Sequence, residues 1–131
     1  MKIYLAARYS RQRELLGYAT ELLDLGHQIT SRWIQGNHQV TDAELSELEF
    51  AVVKRMQFAS EDLEDLLLAD YCISFTEPPR SNASRGGRHV EFGLALGTAK
   101  RVLVVGHREN VFHCLPAVEF FATWPEARDA L

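Results

Sequence analysis

Three short apolar runs rich in β-forming residues, 2–7 (KIYLAA), 70–75 (DYCISF) and 101–106 (RVLVVG), are separated by stretches with helical hydrophobic period. Strands that alternate with helices form a parallel sheet with helices on both faces, because the right-handed crossover lays each helix against the sheet. The wholly apolar RVLVV suits a central strand, buried on both sides. Two weaker runs, 27–34 (HQITSRWI) and 118–123, complete an expected α/β sheet of about five strands.

The connecting segments agree with this plan. Residues 11–26 place Leu15, Leu16, Ala19, Leu22 and Leu23 on one face, and Gly26 is a natural helix stop. After a polar loop at 35–40, Thr41 with Glu44 forms a capping-box pattern for a helix through Leu45, Leu48, Val52 and Met56. Residues 60–69 (SEDLEDLLLA) continue that helix or begin another, with Leu63, Leu66 and Leu67 expected to face inward. Residues 76–85 (TEPPRSNASR) read as a loop, 87–99 as a helix, and Pro125 as the first turn of a closing helix at 126–131. No repeat, low-complexity tract or composition break divides the chain, so one domain is expected over residues 1–131.

A content of 47% hydrophobic and 24% charged residues suits a globular core, and 14 basic against 18 acidic residues give a net charge of −4. That balance argues against a nucleic-acid polymer as partner, since phosphate-backbone affinity needs massed Lys and Arg. Cys72 and Cys114 form no ligand-like cluster, so neither a disulfide framework nor a metal is expected, and a reduced, cytoplasmic setting is the default. No run reaches the length of a membrane span.

In open α/β sheets ligands bind beyond the carboxyl ends of the strands. Those ends are Arg8, Tyr9 and Ser10, then Trp33 onward, then 76–87 and 106–113. The loop from Thr76 to Arg88 carries Arg80, Arg85 and Arg88 among Ser84, Gly86 and Gly87 and runs into a helix start, which suits an anionic group such as phosphate. Neither GxxxxGK[ST] nor GxGxxG is present, so a nucleoside triphosphate or dinucleotide is not expected. Glu91 stands about one turn into that helix among Val90, Phe92, Leu94 and Leu96. The helix dipole would favour its ionised form, as a nucleophile requires, whereas the structural reading is an ion pair with Arg88 or Arg85. Glu61, Asp62, Glu64 and Asp65 cluster before the third strand; one of them could pair with Glu91, and spacing does not choose between Asp62 and Asp65. Two carboxylates flanking a glycosidic bond are general machinery for cleaving it. Tyr4 could hydrogen-bond such a carboxylate, and Trp33 could stack on a base or cap the core.

The ordered segments IYLAARYS, DLEDLLLADYCISFTEPP and GGRHVEFGLALGTAKRVLVV resemble the nucleoside 2-deoxyribosyltransferase superfamily, and within it the 2'-deoxynucleoside 5'-monophosphate N-glycosidases. The resemblance implies a flavodoxin-like fold and cleavage of the bond between base and deoxyribose through a covalent glycosyl-Glu91 intermediate. It assigns Asp62 as the acid that assists base departure and Tyr4 as the hydrogen-bond partner of the nucleophile. Arg8 and Ser10 become phosphate ligands, and Asn110 and His113 fall where a neighbouring subunit's site is often reached, so a homodimer or larger homo-oligomer is expected. The substrate is then a small nucleoside or nucleotide, with no cofactor. Base exchange by a transferase and a non-catalytic nucleotide-sensing domain are the alternatives.

Overall fold

In a computed structural model of the protein, which describes residues 1–36, 47–80 and 85–131, a parallel sheet carries helices on both faces. The elements are β1 (Lys2–Ala6), α1 (Gln12–Asp24), β2 (Gln28–Ile29), α2 (Glu49–Leu68), β3 (Tyr71–Phe75), α3 (Gly87–Gly97), β4 (Arg101–Val105), β5 (Val118–Phe121) and α4 (Trp124–Asp129). The strand order β2-β1-β3-β4-β5, all parallel, is that of a flavodoxin-like α/β fold. The capping-box residues Thr41 and Glu44, the helix position Leu45 and the candidate Ser84 lie outside the described residues.

β1, β3 and β4 are buried from their second residue onward, which explains their near-continuous apolar sequences. Their register places Tyr4 beside Cys72, and Cys72 beside Val102, on one face. That face carries α3, which packs against all three central strands, with α2 next to it. On the other face, Phe75 of β3 joins Tyr18 of α1 and Trp124 of α4 in an aromatic cluster with centroids 4.6 to 5.7 Å apart. This cluster fixes the start of α4 at Trp124, two residues before the expected 126, and a Thr123–Glu126 capping box closes that end.

Two expectations need correction. The second strand is only two residues long, because the side chains of Ser31 and Trp33 replace the backbone at the edge of β1. Ser31 Oγ accepts from the Leu5 N–H at 3.1 Å, and the Trp33 indole N–H donates to the Leu5 carbonyl at 2.8 Å, which satisfies a buried strand edge without a ladder. Residues 49–68 form one continuous helix, and only Leu66 of the three expected inward leucines joins the core. Leu63 and Leu67 are 41% and 51% exposed, since Ala51, Asp65 and Leu66 define the inward face.

Beyond β4, Gly106 adopts φ +119°, a conformation that L residues rarely enter, and its N–H donates to the Phe121 carbonyl. A Cβ there would stand 3.0 Å from Thr76 Oγ1 and 3.2 Å from the Thr76 carbonyl oxygen. Thr76 Oγ1 itself accepts from the His107 N–H at 2.6 Å and donates to the Val105 carbonyl, so it has little room to yield. Gly106→Ala should therefore destabilise the fold by about 1–3 kcal/mol, read as a lower urea midpoint, and an unchanged midpoint would contradict this account.

Candidate active site

The sheet register and the two helices on one face bring three of the expected residues together. Tyr4 points from β1 toward α2 and α3, where its hydroxyl lies beside the Glu91 carboxylate and within the field of Asp62. The phenol is near enough for its O–H to favour the Glu91 carboxylate, although the groups do not close a hydrogen bond of normal geometry. Tyr4 Oη and Glu91 Oε2 are thus buried oxygens without a hydrogen bond in a structure whose buried polar atoms are otherwise mostly paired. The neighbouring acid Asp65 turns away: its two carboxylate oxygens accept from the Arg32 N–H at 2.9 Å and from Arg32 Nε at 2.8 Å. Backbone pairing at Arg32 therefore decides between the two aspartates, leaving Asp62 beside Glu91.

The ionisation of Glu91 corrects the expectation drawn from the helix dipole. Burial pushes its carboxyl up to about 8, the nearby Asp62 carboxylate pushes the same way, and the Tyr4 phenol opposes them. The dipole acts within the first turn; at Glu91 desolvation outweighs it, so the resting group is largely protonated at neutral pH. The same burial, reinforced by the Glu91 and Asp62 carboxylates, drives the Tyr4 phenol far above its ordinary value, so it stays a donor. The Cys72 thiol, in the same row, is also raised and remains unreactive.

The expected anion ligands are more dispersed. Arg88 is buried and forms a bidentate pair with Glu109, its Nη2 donating to Oε2 at 2.8 Å, rather than with Glu91. Its Nε–H is buried without a hydrogen-bond partner. Arg8 faces Glu77 at 3.8 Å. Arg80 is exposed with φ +62°, Arg85 is exposed, Gly86 is the left-handed cap of α3 and Gly87 its first residue. Ser10 is exposed in the turn after β1, and the Tyr9 hydroxyl donates to the Gly36 carbonyl at 3.4 Å. Trp33 is in the core, its indole N–H engaged by Leu5, so it acts as a cap and presents no stacking face of the kind a base needs. Asn110 caps a short 3-10 turn by accepting from the Phe112 N–H at 2.9 Å. The His113 ring is fully buried, with Nδ1 accepting from the Glu109 N–H at 3.0 Å, which puts its own proton on a buried, unpartnered Nε2. Glu77 and Glu109 are the polar residues that sequence reasoning passed over. Both stand at strand carboxyl ends, but a lone glutamate in a loop does not announce which arginine it meets.

An open cavity of about 350 Å³ lies on the opposite face, lined by Arg11, Tyr18, Phe75, His107 and Trp124 among others, and includes none of Tyr4, Asp62 and Glu91.

Burial of Glu91 has a consequence for stability. Below its ordinary value of 4.5 the group is neutral both folded and unfolded. As pH rises from there to about 8 the unfolded chain ionises while the folded one resists, so stability falls, and above that range the full penalty stands. Glu91→Gln removes this loss. The urea midpoint of the variant should match the parent at acid pH and exceed it increasingly up to pH 8; a pH-independent difference would refute the buried-acid reading.

No protein-family model and no curated protein sequence matches the chain. Among solved structures, a 2-deoxyribosyltransferase from Bacillus psychrosaccharolyticus superposes with a TM-score of 0.68 at 23% identity, covering 98% of this chain and 91% of that one. The Clostridium botulinum CMP N-glycosidase BcmB superposes with a TM-score of 0.62 at 16% identity, covering 99% and 97%. The chain therefore shares, nearly end to end, the α/β fold of a 2-deoxyribosyltransferase and a CMP N-glycosidase.

Proposed function

We propose that the protein is an N-glycosidase of the nucleoside 2-deoxyribosyltransferase superfamily that cleaves the bond between base and sugar in 2'-deoxynucleoside 5'-monophosphates. The observation that carries this reading is the convergence of Tyr4, Asp62 and Glu91, with buried oxygens of the phenol and of Glu91 left without hydrogen bonds. Chemistry at a nucleoside N-glycosidic bond is common to the two structural relatives, which supports it.

The Glu91 carboxylate attacks C1' of the sugar, the C1'–N bond breaks, and the base leaves with the electron pair. Positive charge grows on the sugar ring in the transition state, so an anion beneath it is stabilising. Passing the resting proton of Glu91 to Asp62 puts both groups in the states this step needs: a carboxylate to attack and an acid to protonate the departing base. The Tyr4 hydroxyl, beside Glu91, favours its carboxylate form. Water then attacks C1' of the glycosyl-Glu91 ester, and Asp62 takes the proton of that water. Arg8, Ser10, Arg80 and Arg85, with the start of α3, supply the phosphate contacts in this reading.

The pairing of Arg88 with Glu109 and of Arg8 and Arg11 with Glu77 favours a second reading, in which the substrate is an uncharged deoxynucleoside and a second base takes the place of water. A panel of deoxynucleosides and their monophosphates separates the two. Free base should be released from monophosphates, and Glu91→Ala should lower kcat/KM by about 10³-fold or more. Because kcat/KM reports the free enzyme and the pair must keep one proton for the departing base, it should hold through neutral pH and fall as pH rises through about 8, where that proton is lost. Nucleotide binding without base release would instead indicate a sensing domain.

The assembly we propose is a homodimer or larger. Val53, Met56, Ser60, Leu63 and Leu67 recur at alternating three- and four-residue spacing on the outer side of α2, and all are exposed. A seam of that period pairs with a second helix in water. Met56→Glu with Leu63→Glu should convert the oligomer to a monomer in sedimentation while leaving the far-UV spectrum intact; a parent protein that is monomeric at micromolar concentration would end this proposal.

A further inference from the structure

The start of α3 has little in its own sequence to hold it. It opens on Gly86 and Gly87, a Cβ at either would meet nothing within 4 Å, and no side chain caps the first turn. Yet Glu91, one turn in, must be held beside Tyr4 and Asp62. The constraint comes from the loop after β4. Glu109 grips the buried Arg88 through both carboxylate oxygens, and its Oε1 also accepts from the Glu77 N–H at 2.7 Å, just beyond β3. The Glu109 N–H in turn donates to His113 Nδ1, and the His113 ring meets Phe92 edge to face, with centroids 4.7 Å apart. Arg88 and Phe92 are four residues apart and share the buried stripe of α3 with Ala95. Glu91 lies between the two held positions, on the flank toward α2.

We propose that Glu109 is a positioning residue for Glu91: through its pair with Arg88 and its hold on His113, the loop after β4 fixes the rotation of α3 that carries the Glu91 carboxylate to Tyr4 and Asp62. This rests on the role given to Glu91 above. Arg88 is then an anchor, its guanidinium neutralised by Glu109 before any substrate arrives.

Two variants test it. Glu109→Gln keeps an acceptor for the Glu77 N–H but leaves the buried guanidinium without a counter-charge. The double variant Arg88→Met with Glu109→Leu removes both charges together and fills the space with apolar groups, which folds tolerate well. Three readouts are taken on each: the thermal midpoint, kcat and KM on the substrate panel, and the titration of the Glu91 side-chain carboxyl by ¹³C NMR. We expect the double variant to melt close to the parent, yet both variants to lose about tenfold or more in kcat with KM changed less than about twofold, the signature of a displaced reacting group. The Glu91 carboxyl, freed from its buried place near Tyr4, Cys72 and Asp62, should titrate nearer the ordinary carboxylate range. Parent-like kcat in the double variant, an unchanged Glu91 titration, or a loss confined to KM, which would make Arg88 a substrate ligand, overturns the proposal. If the parent releases no base from any substrate, the glycosidase reading fails, and the NMR titration alone still decides whether Glu109 positions Glu91.

Discussion

The parallel pairing of β1, β3 and β4 in register is the constraint on which the remaining structure depends. Tyr4, Cys72 and Val102 form one row across the sheet, so any group on that face meets the helices that cross it. Because both faces are covered, the phenol of Tyr4 is carried into a dry environment and kept there. α3 crosses the same three strands and presents Glu91 to that row, while α2 supplies Asp62 from the side. A single slip in register would turn Tyr4 to the opposite face, among the aromatic residues of α1 and α4.

Bringing two carboxylates and a phenol into one buried place has an electrostatic cost, and the protein meets it by keeping a proton. Desolvation and the like charge of Asp62 both disfavour the Glu91 carboxylate, and only the Tyr4 hydroxyl supports it. In the proposed reaction, positive charge developing on the sugar would shift the balance toward the carboxylate at the moment that charge appears. Elsewhere at the carboxyl edge the charges are matched in pairs. Glu109 answers Arg88, and Glu77 answers Arg8 and Arg11, so these three arginines already meet carboxylates of the protein itself.

How much of this was legible from sequence depends on how local each feature is. The central strands were readable because burial on both faces demands continuous apolar runs, and α1 because its period and Gly26 are local signals. The second strand was overestimated, since HQITSRWI has strand-like alternation while Ser31 and Trp33 use their side chains to complete the edge of β1, which no propensity encodes. The apolar residues of α2 were legible as apolar but not as inward or outward: Leu63, Leu66 and Leu67 are equivalent by composition, and only Leu66 shares the buried face with Asp65, whose carboxylate meets Arg32. Of the site, Glu91 stood out as an acid among apolar neighbours, and resemblance supplied Asp62 and Tyr4.

From the chain alone came the α/β alternation, the edge of the sheet where chemistry belongs and the candidate acid, because these follow from hydrophobic period and residue type over a few positions. Tertiary structure decided which aspartate faces Glu91, that Glu91 keeps its proton against the helix dipole, and that Arg88 is matched by Glu109 twenty-one residues away. Each of those outcomes turns on distance and dielectric between groups remote in sequence, and Coulomb energy and desolvation depend on where folding puts the charges, not on their order along the chain.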